Sequence, residues 1–303
     1  EDRGLSMPEF ALWKPKEYEG PYWRRERLKQ RFPEEAEALD RYYKFYDQMI
    51  HLMGLVRQSE LSHGLAALWL KARLWLAFQS VKSKANWNAG QLMDAYFKSP
   101  VIKTLFLGIV ADFVTAPSEF PGLGVPSIHL ETAFDKRIPT YPSTKSAQTA
   151  YTYILGGCQT LVNAVMGVLL ANRGKVLTST TITRIVIANG RVSGVELDDG
   201  HFEPADLVLA SGGMQEVFFD LVGREHLSSE FILQIESNLL MESVLMVQLG
   251  IDFDPTPYQP AALCYYYNTY DLEGSVKRLR TGDYHEGKEG LLIYVPSLHS
   301  PAL

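Results

Sequence analysis

The 303-residue chain reads as an α/β protein, α+β overall, and three features carry that reading. Residues 28–116 form an almost continuous helical block. Residues 183–200, TRIVIANGRVSGVELDDG, hold two strand-like runs, each followed by a turn-forming pair. The next segment, ADLVLASGG, is a strand-like run ending in glycines, the kind of place where open α/β sheets bind ligands.

Taken in order, residues 1–32 are rich in Arg, Lys, Pro and aromatics and show little periodicity. Pro33 suits the first turn of a helix. Ala36, Leu39, Tyr43, Tyr46, Ile50 and Met53 follow at three- and four-residue intervals, an amphipathic stripe. Further helices are predicted over 65–80, 91–98 and 101–115. The run VIKTLFLGIVADFV at 101–114 carries Lys103 and Asp112 and is too short to span a bilayer, which takes roughly 20 apolar residues. It reads as a buried helix, with a membrane-surface or lipid-channel helix as the alternative. Prolines and glycines make 117–150 connecting structure around one short helix. Gly156-Gly157 then feeds a helix that stops at Gly174. A strand, a turn and a second strand are predicted over 175–187. In the hairpin that follows, Asn189-Gly190 and Asp199-Gly200 tolerate positive φ, and Val192, Val195 and Leu197 supply strand-forming bulk. Beyond 214 come a helix at 226–238, a strand at 242–252, and strands within 262–270 and 290–298 around a helix near 271–280.

Composition narrows the function. The balance of 46% apolar and 21% charged residues is that of an ordinary globular chain. A net charge of −6 argues against nucleic acid, which leaves a basic footprint. It is compatible with an anionic cofactor held by backbone N–H groups. Cys158 and Cys264 are too isolated for a disulfide framework or a metal site. They fit a reducing compartment, cytoplasm or organelle matrix. The seven histidines form no H-x-x-x-H or H-E-x-x-H pair, so no metal ligand is assigned. Ser143, Ser146 and Ser211 lack a G-x-S-x-G elbow.

A glycine pair, a helix, RGKVLTSTTITRIVIANGRVSGVELDDG and ADLVLASGG follow one another over about 150–215. This order resembles the phytoene desaturase–like branch of the FAD-dependent amine oxidase superfamily. The residues that carry the resemblance are Gly156-Gly157-Cys158, Leu161, Gly174, Thr180 or Thr181, Ile182, Ile185, Gly194-Val195-Glu196-Leu197, Gly200 and Ala205-Asp206-Leu207-Val208. Cys158 stands where the family's pattern has Met. Weaker agreement extends through FDLVGREHL, VLMVQLGID and IYVPSLHSPAL. The resemblance implies a partial FAD-binding Rossmann-like domain with a β-meander, beside a helical and mixed-sheet substrate domain. It implies three parts: a helical substrate or cap region over 1–150, the middle segment of the FAD domain over 151–225, and substrate-domain elements over 226–303.

By the same resemblance Gly156, Gly157, the backbone of Ile182, and Ser211, Gly212 and Gly213 are cofactor-binding candidates. Each also has a plain reading as a turn or a strand. No catalytic side chain is assigned, because a bound flavin takes the electrons itself. Two motifs of that family are absent. No G-x-G-x-x-G follows a strand, and Gly122-Leu123-Gly124 lies in a proline-broken loop and reads as structural. The closing flavin motif does not occur either. The expectation is therefore an incomplete chain of an FAD-dependent oxidoreductase that acts on carbon–carbon bonds of a hydrophobic, polyene-like substrate. Expected partners are that substrate, a peripheral membrane contact and a second copy in a homo-oligomer, with no nucleic acid. The helices of 65–115 would line an apolar cavity or form a plain core. His63 reads as a cavity or helix-end residue, and Tyr265–Tyr267 as cavity lining or sheet packing. Two rivals stay open: an amine oxidase–type flavoenzyme, and a cofactor-free binding or assembly domain.

Overall fold

The computed structural model describes residues 3–13, 15, 19–113, 115–129, 131, 154–238, 244–282, 290–298 and 300. Ser143, Ser146, His285, His299 and much of the expected connecting segment 117–150 lie outside them. The chain divides into two units, Glu1–Leu161 with Val247–Leu303, and Val162–Met246.

The first unit is built on α2 (Ala36–Glu60), whose three- and four-residue spacing buries Leu39, Tyr43, Tyr46 and Ile50, joined by Tyr42, Phe45 and Met49. Around it lie α1 (Trp23–Arg31), α3 (Gly64–Gln79), α4 (Ala89–Tyr96) and α5 (Pro100–Leu107). Caps set their ends. Asn88 accepts from the Gln91 N–H, and the Gln91 side chain accepts from the Asn88 N–H, a complete capping box. Ser99 caps α5 with Pro100 in its first turn. The buried Glu35 carboxylate accepts the N–H groups of Lys98 and Ser99 at 2.8 and 2.6 Å, tying the start of α2 to that of α5.

A four-stranded mixed sheet completes this unit, in the order β2 (Phe10–Trp13), β1 (Arg3–Met7), β6 (Leu263–Tyr266), β7 (Leu291–Tyr294). β1 runs antiparallel to β2 and parallel to β6, and β6 antiparallel to β7. The sheet lies against the end of α5: a Cβ on Gly108 would meet Leu5 Cδ1 at 2.7 Å, and the Tyr267 hydroxyl donates to the Gly108 carbonyl. Helix α8 (Leu272–Thr281) starts on an Asp271 cap and ends on Gly282 at φ +75°.

The second unit holds a three-stranded antiparallel meander, β3 (Ile182–Ala188), β4 (Arg191–Leu197) and β5 (Phe202–Pro204), in sequential order. Asn189 and Gly190 have φ of +52° and +74°, the positive pair a type I′ turn requires. Gly200 sits at +82° and donates its N–H to Leu197, closing the second turn. A segment of π-helix, Glu216–Gly223, packs on β3, and α7 (Ser229–Ser237) follows. Helix α6 (Cys158–Ala171) leads into this unit.

The fold class agrees with the sequence reading: helices, a mixed sheet and an antiparallel meander. Four features differ. Residues 3–13 form a hairpin, and α1 follows, where the sequence shows no periodicity; β1 draws its order from a parallel partner some 260 residues away. Residues 206–210 and 244–251 read as strands but pair with nothing described. Leu209 and Leu245 are each 91% exposed. β propensity describes a surface that fits a sheet, and it yields a strand only where a neighbour supplies the ladder. The first strand expected before β3 is also absent, 175–181 lying outside any ladder.

Candidate functional site

The residues implicated by the resemblance fall in two places. In the first unit, Gly156 and Gly157 make the turn that starts α6, with φ of +80° and +79°. A Cβ on Gly156 would meet Thr160 Oγ1 at 2.6 Å, so the turn admits no side chain there. Its N–H groups are engaged: Gly156 donates to Ser300 Oγ at 3.0 Å and Gly157 to the Ile154 carbonyl at 2.9 Å. The first turn of α6 that follows lies at the positive end of the helix dipole, where the Thr160 N–H donates to the Gly157 carbonyl at 3.1 Å.

In the second unit, Ile182 opens β3 opposite Leu197. Because β3 is the outer strand of the meander, its far edge carries backbone N–H and C=O groups without a ladder partner among the described residues. Ser211, Gly212 and Gly213 lead into the π-helical segment that packs on β3; the Gly213 carbonyl accepts the Val217 N–H at 2.9 Å. A Cβ on Gly213 would meet nothing within 4 Å, and one on Gly212 would come 3.3 Å from Val217 Cγ2. The β3 edge and this loop therefore offer backbone groups, with open space beside Gly213.

The remaining candidates resolve as structure. Gly122 donates to the Trp87 carbonyl at 2.7 Å, and a Cβ there would come 2.8 Å from the same oxygen, so the Gly122–Ile128 turn is a close backbone crossing. His63 is the exposed residue preceding α3. Tyr265 and Tyr267 are buried in the core, and the Tyr266 hydroxyl donates to Gln259 Oε1 at 3.0 Å. Ile102, Leu105, Phe106 and Leu107 belong to the core as well, in one cluster with Tyr42, Phe45 and Phe97. A cleft of about 470 Å³ does open between α2 and α3, lined by Asp47, Gln48, His51, Arg73, Leu76, Ala77 and Ser80. Its lining mixes charge with carbon. Among the described residues no three His, Cys, Asp or Glu side chains cluster to hold a metal. No described helix is long and apolar enough to cross a membrane.

One cluster escaped the sequence reading. Arg24, Tyr42, Tyr43, His129 and Glu131 meet inside the first unit, all almost fully buried. Arg24 Nη1 lies 3.4 Å from Glu131 Oε2, and its other terminal nitrogen donates to the Leu105 carbonyl. Its guanidinium also stacks 4.5 Å from the Phe106 ring centre. Tyr43 donates to Glu131, and Tyr42 Oη lies 2.9 Å from His129 Nε2. With Tyr42 donating, the His129 proton sits on Nδ1, 3.7 Å from Glu131. The Tyr46 ring stacks on His129 at 6°. Burial, then the Arg24 charge, holds the His129 pKa well below its ordinary value. Burial, then Glu131, pushes both tyrosines well above theirs. Through these contacts the cluster acts as a polar clamp joining α1, α2 and α5 to 129–131. The only signal in the sequence was the His-x-Glu spacing at 129–131, which says nothing of Arg24.

No family model matches the chain. It is 26% identical over 176 residues to the rat (Rattus norvegicus) protein called pyridine nucleotide-disulfide oxidoreductase domain-containing protein 2. The mouse (Mus musculus) protein of that name is 25% identical over the same length. The match covers 56% of this chain and 29% of each relative, so the chain spans less than a third of their length. Neither name mentions a phytoene desaturase or a polyene substrate.

Proposed function

We propose that this chain is part of an FAD-dependent oxidoreductase of the phytoene desaturase–like kind, acting on carbon–carbon bonds of a hydrophobic substrate. The observation that carries the reading is the meander β3–β4–β5, reached from a glycine turn and α6 in the order that the resemblance implies. The names of the rat and mouse relatives support the coarser part, a flavin-type oxidoreductase. In the proposed role the open edge of β3 and the loop 211–213 present backbone groups to the nucleotide, while the Gly156-Gly157 turn lets a ligand approach the start of α6. Bound flavin would supply the two-electron acceptor, and the protein would orient the substrate and exclude water. The outward Leu207, Leu209, Val244 and Leu245 weigh against a self-sufficient, cofactor-free domain, which would cover such residues.

An FAD titration followed by flavin fluorescence tests this. It compares the 303-residue chain with one lengthened, through its coding sequence, to the size of the relatives. Quenching by the lengthened chain supports the reading. Failure of both chains to bind FAD removes the redox function.

A further inference from the structure

Helix α3 carries two apolar faces, and among the described residues only one is packed. Leu70 is buried on the α2 side, with Leu74 and Phe78 partly covered there. The opposite face presents Leu65, Leu68, Trp69, Ala72, Trp75 and Leu76, at the three- and four-residue intervals of a single helical stripe. Leu65 is 86% exposed, and Trp69 and Trp75 are 60% and 64% exposed. Scattered exposed leucines mean little, but a continuous stripe with two tryptophans marks a surface that meets something.

Charge identifies the occupant. No acidic residue occurs between Glu60 and Asp94, while Lys71, Arg73, Lys82 and Lys84 do. This local excess of four positive charges lies in a chain of net charge −6. At about 100° per residue, Lys71 and Arg73 fall on opposite flanks of the apolar stripe. None of the four cations is paired with a carboxylate among the described residues; Arg73 instead lies over the Trp69 ring, 4.8 Å from its centre. Lys82 and Lys84 continue the basic character in the turn after the helix.

We propose that α3 docks this protein on an anionic phospholipid bilayer. The stripe of leucines and tryptophans enters the boundary between headgroups and acyl chains, and Lys71 and Arg73 reach sideways to lipid phosphates. The helix has 16 residues, with two cations at its middle, so it lies in the interface and does not cross it. The negative balance of the rest of the chain opposes anionic lipid, which confines the contact to this acid-free patch. The proposal stands independently of the flavin reading.

Flotation of the 303-residue chain with vesicles of phosphatidylcholine alone, and of phosphatidylcholine mixed with phosphatidylserine, tests it. The chain should float with the mixed vesicles, less so as salt rises. Each basic residue at such a surface is worth roughly fivefold in binding, so Lys71→Gln/Arg73→Gln should weaken partition about 25-fold. Leu68→Gln/Trp75→Gln should weaken it at least as much. All four positions are on the surface, so melting temperature should stay put in both variants. Absence of flotation, or flotation that neither variant reduces, overturns the proposal. So does a concentration-dependent dimer in sedimentation velocity that Leu68→Gln/Trp75→Gln abolishes, because the stripe is then an interface between copies.

Discussion

Helices α2 and α6 are written in the same alphabet and meet different fates. In α2, Leu39, Tyr43, Tyr46 and Ile50 recur at three- and four-residue spacing and are all buried. In α6, Leu161, Val162, Val165, Val168 and Leu169 recur in the same way, and the helix has no buried residue. The spacing specifies a face that gains from burial; a second surface decides whether the burial happens. α2 finds it in α1, α4, the 122–128 turn and the Phe106 ring of α5. α3 stands between the two, with one face packed and the other open.

Core truncation should give the largest effect. Phe106→Ala should cost about 3–5 kcal/mol, because Phe106 packs against Tyr42, Tyr43, Phe97 and Arg24 and leaves a cavity when shortened. Val165→Ala on the exposed face of α6 should change stability by less than about 0.5 kcal/mol. Urea denaturation of both variants checks this. Equal losses would mean that α6 is packed in solution and that the contrast is wrong.

The polar clamp gives nearly as large an effect. Arg24→Met leaves the Glu131 carboxylate buried without its cation and should cost about 3–5 kcal/mol. The double variant Arg24→Met/Glu131→Gln should be less destabilised than the sum of the single changes, because it removes both charges together. An additive result would show that the two groups act separately.

His129 ties the same core to pH. Its folded pKa is lowered by burial and by Arg24, so the unfolded chain binds its proton more readily. The stability held by neutral His129 is therefore complete above about pH 6.5. It declines as pH falls below that, at up to about 1.4 kcal/mol per pH unit until the folded pKa is reached. Melting curves over roughly pH 8 to 5, run beside His129→Gln, would show a shallower slope in the variant. Parallel slopes would assign the acid sensitivity elsewhere.

The second unit supplies the smallest effect. Gly190 holds φ +74° at the tip of the β3–β4 turn, and Gly190→Ala should cost about 1 kcal/mol. The change should speed hydrogen exchange in β3 and β4 and leave α2 untouched. Faster exchange in α2 would couple two regions that the account keeps apart.

What the sequence disclosed follows from how far apart the interacting residues lie. Asn189-Gly190 declares its turn locally because both residues tolerate positive φ, and the α2 stripe declares itself by spacing. The β1–β6 pairing does not, since its order comes from residues 263–266, and the alternation in RGLSM is too short to register. Arg24 and Glu131 stand 107 positions apart, and no local pattern announces a buried pair of that kind. Residues 206–210 and 244–251 err in the other direction: their composition is that of strands, yet no ladder forms among the described residues. Of the cofactor candidates, the positive φ of Gly156 and Gly157 was implicit in the glycine pair. The open edge of β3 could be seen only once the strand order was known.

Hydrogen exchange by mass spectrometry on the lengthened chain, with and without FAD, tests whether the meander holds flavin. Exchange should slow in β3 and in residues 211–213 when FAD is present, with α2 unchanged. Protection confined to the cleft between α2 and α3, or no change anywhere, would contradict the assignment of this meander to a flavin site.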